Sequence, residues 1–163
     1  MPDPVHTTWQ LARAAARTLA TSEALQAYAS SALGAPLTVY LDGLPADRRG
    51  IRARLPYALV TAGTTSEPEG GPVAHAVRIL LALDASALSA SAGAPEPDPD
   101  CPALLVVAGG EPVSRLADLA VDALRAASLG SRIVSVEREL DLVGAWPVRY
   151  ADLTVNLEDL LAW

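Results

Sequence analysis

Lysine and phenylalanine are both absent from this chain of 163 residues, so its 12 basic residues are all arginines. Aromatic residues make up only 4% of the chain, and a core must therefore be filled by leucine, valine, isoleucine and alanine. Apolar residues at 51% and charged residues at 19% exclude a disordered tail and are typical of a folded domain. The length suits a single domain, and we expect residues 1–163 to form one.

Cysteine and histidine are nearly absent. A lone Cys101 excludes an internal disulfide and a multi-cysteine metal site, and His6 and His75 lie far apart in the sequence. The N-terminal stretch MPDPVHTTWQ lacks the basic start and the apolar run of a signal peptide. No apolar run reaches the roughly 18 residues of a membrane helix. We therefore expect a cytoplasmic protein with no metal and no membrane association.

Motifs for catalysis are missing as well. The chain contains no GxSxG, HExxH or GxGxxG motif and no phosphate-binding loop. The AGG at 108–110 is best interpreted as a strand-to-helix turn, since no lysine is present to bind a phosphate. His75 lies in an apolar alternation typical of a packed sheet residue, and Cys101 lies in a Pro/Asp-rich loop with no basic neighbour to activate it. We expect no enzyme activity, no catalytic residue and no cofactor.

Helical spacing occurs in three segments. The first covers residues 7–20, and one stripe of it carries Trp9, Ala12, Ala16 and Leu19. The second follows directly and ends at Gly34, a residue that favours helix termination. The third covers residues 112–127 and is expected to stop at Gly130. Its apolar stripe consists of Val113, Leu116, Ala117, Ala120, Val121 and Leu124.

Alternating apolar residues indicate strands. A short strand is expected at 37–45, and the runs that begin at Pro56 and Val73 are expected to form a hairpin. Further strands are expected as LLVVAGG at 104–110, SRIVSVERELDLV at 131–143 and PVRYADLTVNLEDL at 147–160. With the helices, these strands predict an α+β fold in a single domain: an antiparallel β-sheet of mixed strand lengths with helices packed on one face.

A long loop interrupts this pattern at about residues 85–103. Its sequence, ASALSASAGAPEPDPDCPA, is rich in alanine, serine, proline and aspartate. Such a composition does not build a core, and we expect the loop to be mobile.

The charges are unevenly distributed along the chain. The segment DRRGIRARLPY at 47–57 holds four of the 12 arginines, in a protein whose net charge is -7: Arg48, Arg49, Arg52 and Arg54. The overall acidity and the lack of interleaved aromatics argue against a nucleic-acid patch. Acidic residues line one side of the strand expected at 131–143: Glu137, Glu139 and Asp141. These acids are either a solvated face or an acidic surface that meets a basic one on a partner.

Two complementary patches at different places on one surface suit head-to-tail contacts between copies of a chain. Such heterologous contacts close into a ring when the rotation between neighbours divides a circle. Charge complementarity sets the register and rate of the contact more than its affinity. The four arginines and the three acids are therefore candidate residues of a subunit or partner interface, while exposure to solvent and contact with DNA stay open for the arginines.

The order of five segments resembles the tail terminator, or tail completion, proteins of long-tailed bacteriophages. The segments are LARAAARTLA at 11–20, LPYALVTAG at 55–63, VAHAVRILLALD at 73–84, SRLADLAVDALRAA at 114–127 and VRYADLTVNLED at 148–159. They follow the family's outline of an N-terminal helix, a Pro-Tyr strand start, a long hairpin, an amphipathic helix and a closing strand pair. The segment at 85–110 is longer than the family pattern, and the second N-terminal helix is an addition to it.

This resemblance implies a structural virion protein without cofactor, membrane or catalysis. Members form a ring, typically a hexamer, on the head-proximal end of the tail, where the ring ends tube polymerisation and joins the head connector. The implied partners are copies of the chain itself, the tail tube protein and the head-tail connector protein, with DNA only passing through the lumen. Assembly would occur in the host cytoplasm. Two alternatives stay open: a head-tail connector or other tail accessory protein, and a small ligand-binding domain.

Overall fold

The computed structural model describes residues 6–45, 53–88, 94–106, 108–141 and 147–159. Within these ranges the chain forms three α-helices: α1 (Thr8–Thr21), α2 (Glu23–Ala32) and α3 (Gly110–Ala126). The strands in the same ranges are β1 (Thr38–Leu41), β2 (Tyr57–Ser66), β3 (Ala74–Asp84), β4 (Glu96–Pro97), β5 (Leu105–Val106), β6 (Ser131–Asp141) and β7 (Val148–Asp159). The α+β class expected from the sequence is confirmed.

Local side-chain bonds explain where the first two helices begin. The Thr7 hydroxyl accepts a hydrogen bond from the backbone N–H of Gln10, whose side chain accepts one from the Thr7 backbone N–H. This reciprocal capping box satisfies two donors that the first turn of α1 would otherwise leave unpaired. Ser22 then ends α1 and caps α2 by accepting from the backbone N–H of Leu25.

The third helix confirms the predicted apolar stripe, all six residues of which are buried. The helix starts two residues earlier than predicted, at Gly110, and ends at Ala126, one residue before the predicted end at 127. Gly109 precedes it with a φ of +100°, and a Cβ there would lie 2.7 Å from the side chains of both Ala85 and Arg149. The AGG sequence is therefore a strand-to-helix turn, as predicted, in which glycine is required by both backbone conformation and close packing.

The main sheet has the strand order β1-β2-β3-β7-β6. The predicted hairpin is present as β2 and β3, and β7 lies antiparallel between β3 and β6. The one departure from an antiparallel sheet is β1, which runs parallel to β2. The connection of residues 42–56 between them has the dozen or more residues that a parallel crossover needs, whereas a hairpin would need only a few.

Strand alternation gives the sheet one face against the helices. On β3 and β7 every odd-numbered position is buried, from His75 to Leu83 and from Arg149 to Leu157, and Ala82 on the other face of β3 is buried as well. Helix α1 packs over β2 and β3, α3 packs over β3, β6 and β7, and α2 packs against α3. Trp9 is not part of this core, contrary to the predicted stripe: it is exposed, and the guanidinium of Arg13 lies 5.4 Å from its ring centroid.

The segment between β3 and α3 differs from the prediction. Of the described residues in the predicted strand at 104–110, Leu105 and Val106 alone pair, with Pro97 and Glu96 as their partners. A strand needs a ladder of backbone partners, and the Pro/Asp-rich sequence before it supplies only two residues. The apolar run therefore stays at the surface instead of joining the main sheet.

Candidate assembly interface

The main sheet has an outer face, which is the side opposite the helices. In the strand register, residues of this face form rows that cross the sheet from β1 to β6. One row consists of Thr38, Tyr57, Ala82, Tyr150 and Asp141. The next consists of Tyr40, Leu59, Leu80, Asp152 and Glu139. The third consists of Thr61, Arg78, Thr154 and Glu137.

The edge strand β6 carries the predicted acidic residues. Glu137 and Glu139 are exposed at outer-face positions, and Asp141 occupies the next such position in the backbone register. Oε1 of Glu137 accepts a hydrogen bond from the side-chain amide of Asn156 at 3.3 Å. Among the described residues, no cation forms an ion pair with either glutamate. We call Glu137 and Glu139 the acidic edge.

Glu139 has a like charge beside it. It lies directly opposite Asp152 on the same face of the sheet, an arrangement that disfavours both carboxylates. The charge of Asp152 is neutralised by Arg78, whose guanidinium lies 2.7 Å from the Asp152 carboxylate. Arg78 makes no such contact with Glu139. A cation brought by another molecule would therefore meet Glu139 at a position that the described residues of its own chain leave unneutralised.

The described end of the arginine segment lies at the opposite edge of the sheet. The backbone N–H of Arg54 donates to the hydroxyl of Tyr40 at 3.0 Å, and Tyr40 belongs to the edge strand β1. Arg54 is exposed, and none of the described carboxylates forms an ion pair with it. We call Tyr40 and Arg54 the basic corner.

Arg48, Arg49 and Arg52 lie outside the described residues. They belong to the same connection between β1 and β2 that contains Arg54. Of the four predicted arginines, the basic corner therefore includes Arg54 alone.

The acidic edge and the basic corner share one face but are far apart in one chain. Tyr40 and Glu139 stand at the two ends of a single row, separated by four strand-to-strand intervals. At about 4.8 Å for each interval, their Cα atoms are roughly 19 Å apart. This distance exceeds the reach of an arginine side chain. The two groups can pair with each other only if they come from two molecules.

An aromatic cluster holds Tyr40 in place. Its ring centroid lies 5.9 Å from that of Tyr57 in an edge-to-face arrangement. Burial raises the pKa of the Tyr57 phenol, and the neighbouring phenols of Tyr150 and Tyr40 raise it further. The packed Tyr57 orients Tyr40, which in turn accepts the Arg54 bond. The sequence analysis did not identify Tyr40, although the alternation in TVYL places it on the same face as Thr38.

A buried polar cluster lies at the other end of the sheet. Nδ1 of His75 is 2.9 Å from the Thr8 hydroxyl, and its Nε2 is 3.4 Å from the Asp159 carboxylate. Thr65 bonds to the same Thr8 hydroxyl, and the Ser131 hydroxyl donates to Asp159. His75 is only 3% exposed, and through it this cluster ties the start of α1 to the sheet. The prediction that His75 is a packed, hydrogen-bonded sheet residue is confirmed.

A small apolar patch is exposed next to β4 and β5. Leu104, Leu105 and Val106 have 52%, 61% and 45% of their surfaces exposed, more than any other run of apolar side chains among the described residues. The patch follows Asp98 and Asp100 of the Pro/Asp-rich segment. These residues are not part of the outer-face rows.

The described part of the chain lacks two other features, a metal-binding cluster and a membrane-spanning helix. Its His, Cys, Asp and Glu side chains form no group of three or more that is placed to hold a metal ion. None of its helices has both the length and the apolar character needed to cross a bilayer.

No protein-family model and no curated protein matches the chain. Among solved structures 12 chains match, one of them from the "Virion of native gene transfer agent (GTA) particle". The alignment covers 90% of this chain and 92% of that chain, with 17% sequence identity and a TM-score of 0.45.

Proposed function

We propose that the chain is a structural virion assembly protein, a tail terminator that forms a ring on the head-proximal end of a phage tail tube. The ring ends tube polymerisation and offers the joining surface for the head connector. Its partners are copies of itself, typically six in a ring, together with the tail tube protein and the head-tail connector protein. DNA only passes through the lumen. The proposal includes no catalytic step, no cofactor and no membrane.

The observation that carries the proposal is the placement of opposite charges at opposite edges of one sheet face. Arg54 lies at the β1 edge, while Glu137 and Glu139 lie at the β6 edge. A contact between two different patches of the same chain is heterologous, and repeated heterologous contacts generate either a ring or a filament. A protein that caps a tube requires a contact of this kind.

A two-fold dimer would not bring these opposite charges together. If two copies met through their β6 edges, Glu137 and Glu139 of one copy would face the same glutamates of the other. Directly opposed like charges destabilise a strand pair. If they met through their β1 edges, two arginine segments would face each other. Only the head-to-tail contact joins the acidic edge to the basic corner.

The order of the elements supports the same function. The five segments that resemble tail terminators form α1, β2, β3, α3 and β7 in the fold. The long hairpin and the amphipathic helix thus occupy the places in the chain that the family outline gives them. The added second helix, α2, packs against α3 on the helical side of the sheet.

The deciding experiment is deletion of the gene from the phage or prophage genome that carries it. We expect tails of uncontrolled, excessive length that lack heads, as seen by negative-stain electron microscopy, and restoration of normal length by the intact gene on a plasmid. Tails of normal length without heads would instead indicate a head-tail connector. Normal virions would contradict both roles.

The ring itself can be tested with purified protein. Light scattering and negative-stain images should detect a closed oligomer at high protein concentration, and raising the ionic strength should weaken it because charge pairs at an exposed contact are screened by salt. A bound metabolite that co-purifies with a strict monomer would favour the ligand-binding alternative.

A further inference from the structure

Both edges of the main sheet end in strands with one unpaired side. Among the described residues β1 pairs only with β2, and β6 pairs only with β7. At the two ends of β1, the backbone N–H groups of Thr38 and Asp42 donate to carbonyls on the β2 side. In the described ranges, β1 and β6 form no other backbone hydrogen bonds outside their strand ladders. Unpaired backbone N–H and C=O groups on an edge strand are a template for another strand.

The available length differs between the two edges. The ladder of β6 is irregular between Ile133 and Ser135, where a bulge interrupts the pairing with β7. The regular part of β6 therefore runs from Ser135 to Asp141. This stretch is long enough to pair with all four residues of β1, Thr38–Leu41.

Strand direction favours pairing between the two edges. β1 is parallel to β2, and each following step from β2 to β3, β7 and β6 reverses the direction. Three reversals make β6 antiparallel to β1 of the same chain. A neighbouring copy in the same orientation would therefore present its β1 antiparallel to β6, which is the somewhat more stable form of strand pairing.

Resting on the ring proposed above, we propose that β6 of each copy pairs with β1 of the next, so that the main sheets join into one continuous intersubunit sheet. The occupant of each free edge is a second copy of this chain.

The rows of the outer face define the register of this pairing. If neighbouring copies lie at the same height, each row continues across the contact. Thr38 of one copy then lies opposite Asp141 of the other, and Tyr40 lies opposite Glu139. Directly opposite residues of an antiparallel pair share a face, so the outer faces also become continuous.

This register brings the complementary charges together. Arg54 is bonded through its backbone to the Tyr40 hydroxyl and accompanies Tyr40 to the position opposite Glu139. Its guanidinium thereby approaches Glu139, the carboxylate that faces Asp152 within its own chain. The neighbouring copy supplies a cation that the described part of the glutamate's own chain does not.

Disulfide cross-linking tests the pairing directly. Cys101, which is exposed, is first replaced by serine, and the variants Thr38→Cys and Asp141→Cys are then combined in one chain. Opposite residues of an antiparallel pair have Cα atoms about 4.5–5.5 Å apart, within the roughly 4.4–6.8 Å range of disulfides. Mild oxidation should give a ladder of covalent oligomers on a non-reducing gel, with mass spectrometry identifying peptides that join positions 38 and 141.

The single-cysteine variants are the matched controls. Each alone should give no ladder, and an equimolar mixture of the two should stop at covalent dimers. Covalent dimers formed by Asp141→Cys alone would overturn the proposal, because they require β6 to meet β6 of another copy.

Amide hydrogen exchange on the unaltered protein gives an independent readout. Peptides covering residues 135–141 and 38–41 should exchange roughly tenfold or more slowly in the assembled protein than in the dilute monomer. Rings that form without the 38–141 link and without this protection would overturn the strand pairing but would still support the proposed ring. A chain that stays monomeric in light scattering and gives no ladder would overturn the ring and the pairing together.

Discussion

The guanidinium of Arg138 on β6 lies 2.7 Å from the carboxylate of Asp118 on α3. This arginine is therefore turned toward the helices, while its sequence neighbours Glu137 and Glu139 take positions on the opposite face. Strand alternation thus separates the charges of the short sequence Glu-Arg-Glu. The arginine is used within the chain, and the two acids are left at the outer face for another molecule.

Reversing one charge of the acidic edge should impair assembly without harming the fold. In the variant Glu139→Arg, two arginines would meet at the contact, so the oligomer seen by light scattering should be lost. Within the chain the new arginine lies opposite Asp152, and urea unfolding should show stability unchanged or higher by about 0.2–1 kcal/mol. The exposed Asp122 on α3 provides a control, since Asp122→Arg changes the net charge equally but should leave assembly intact.

A second reversal on the other side should restore the contact. We expect Arg54→Glu alone to prevent assembly, because it opposes two carboxylates, and the double variant Arg54→Glu/Glu139→Arg to assemble again with the charges exchanged. Light scattering of all three variants forms a double-mutant cycle. Additive losses, with no recovery in the double variant, would mean that Arg54 and Glu139 do not meet.

Removing the whole arginine cluster tests whether it belongs to the fold or to the contact. The variant with Arg48, Arg49, Arg52 and Arg54 all replaced by alanine should keep its circular dichroism spectrum and thermal stability, since exposed arginines contribute little to folding. Ring formation or tail joining should be impaired. An unfolded variant would show that the segment is structural.

The core of α3 should tolerate truncation poorly. Leu116 and Leu124 are 0% and 1% exposed, and replacing either with alanine should lower the free energy of unfolding by about 2–5 kcal/mol. Leu105, which is 61% exposed, is the matched control, and its replacement with alanine should change stability by less than about 0.5 kcal/mol. Urea unfolding followed by circular dichroism measures both. Equal effects at Leu116 and Leu105 would contradict the buried stripe.

Local periodicity was sufficient to predict the secondary structure that matters for the sheet. The alternation from His75 to Leu83 and from Ala151 to Leu157 fixed both the strands and the faces they bury. It also placed Glu137 and Glu139 on one side of β6. These predictions succeeded because which face of a strand is buried depends on the alternation of neighbouring residues in the sequence.

Non-local relationships could not be predicted in the same way. The parallel pairing of β1 depends on where the 42–56 connection returns, and Asp118 of α3 is paired with Arg138 of the distant strand β6. Trp9 lies at the margin of the buried stripe of α1, where the tertiary packing and not the spacing decides its exposure. The distance between the acidic edge and the basic corner follows only from the strand order.

The buried Tyr57 phenol should make the fold sensitive to alkaline pH. Burial raises its pKa above the ordinary value of 10.0, so the folded chain holds the proton more tightly than the unfolded chain does. The resulting stability is present below about pH 10 and is lost as the pH rises through the folded-state pKa. Urea midpoints at about pH 8.5 and about pH 11 should therefore differ less in Tyr57→Phe than in the unaltered protein. Burial also raises the pKa of Tyr28, so this substitution should remove only part of the loss, and Tyr57→Phe combined with Tyr28→Phe should remove more. An equal loss of stability in all three proteins would show that neither phenol is linked to unfolding.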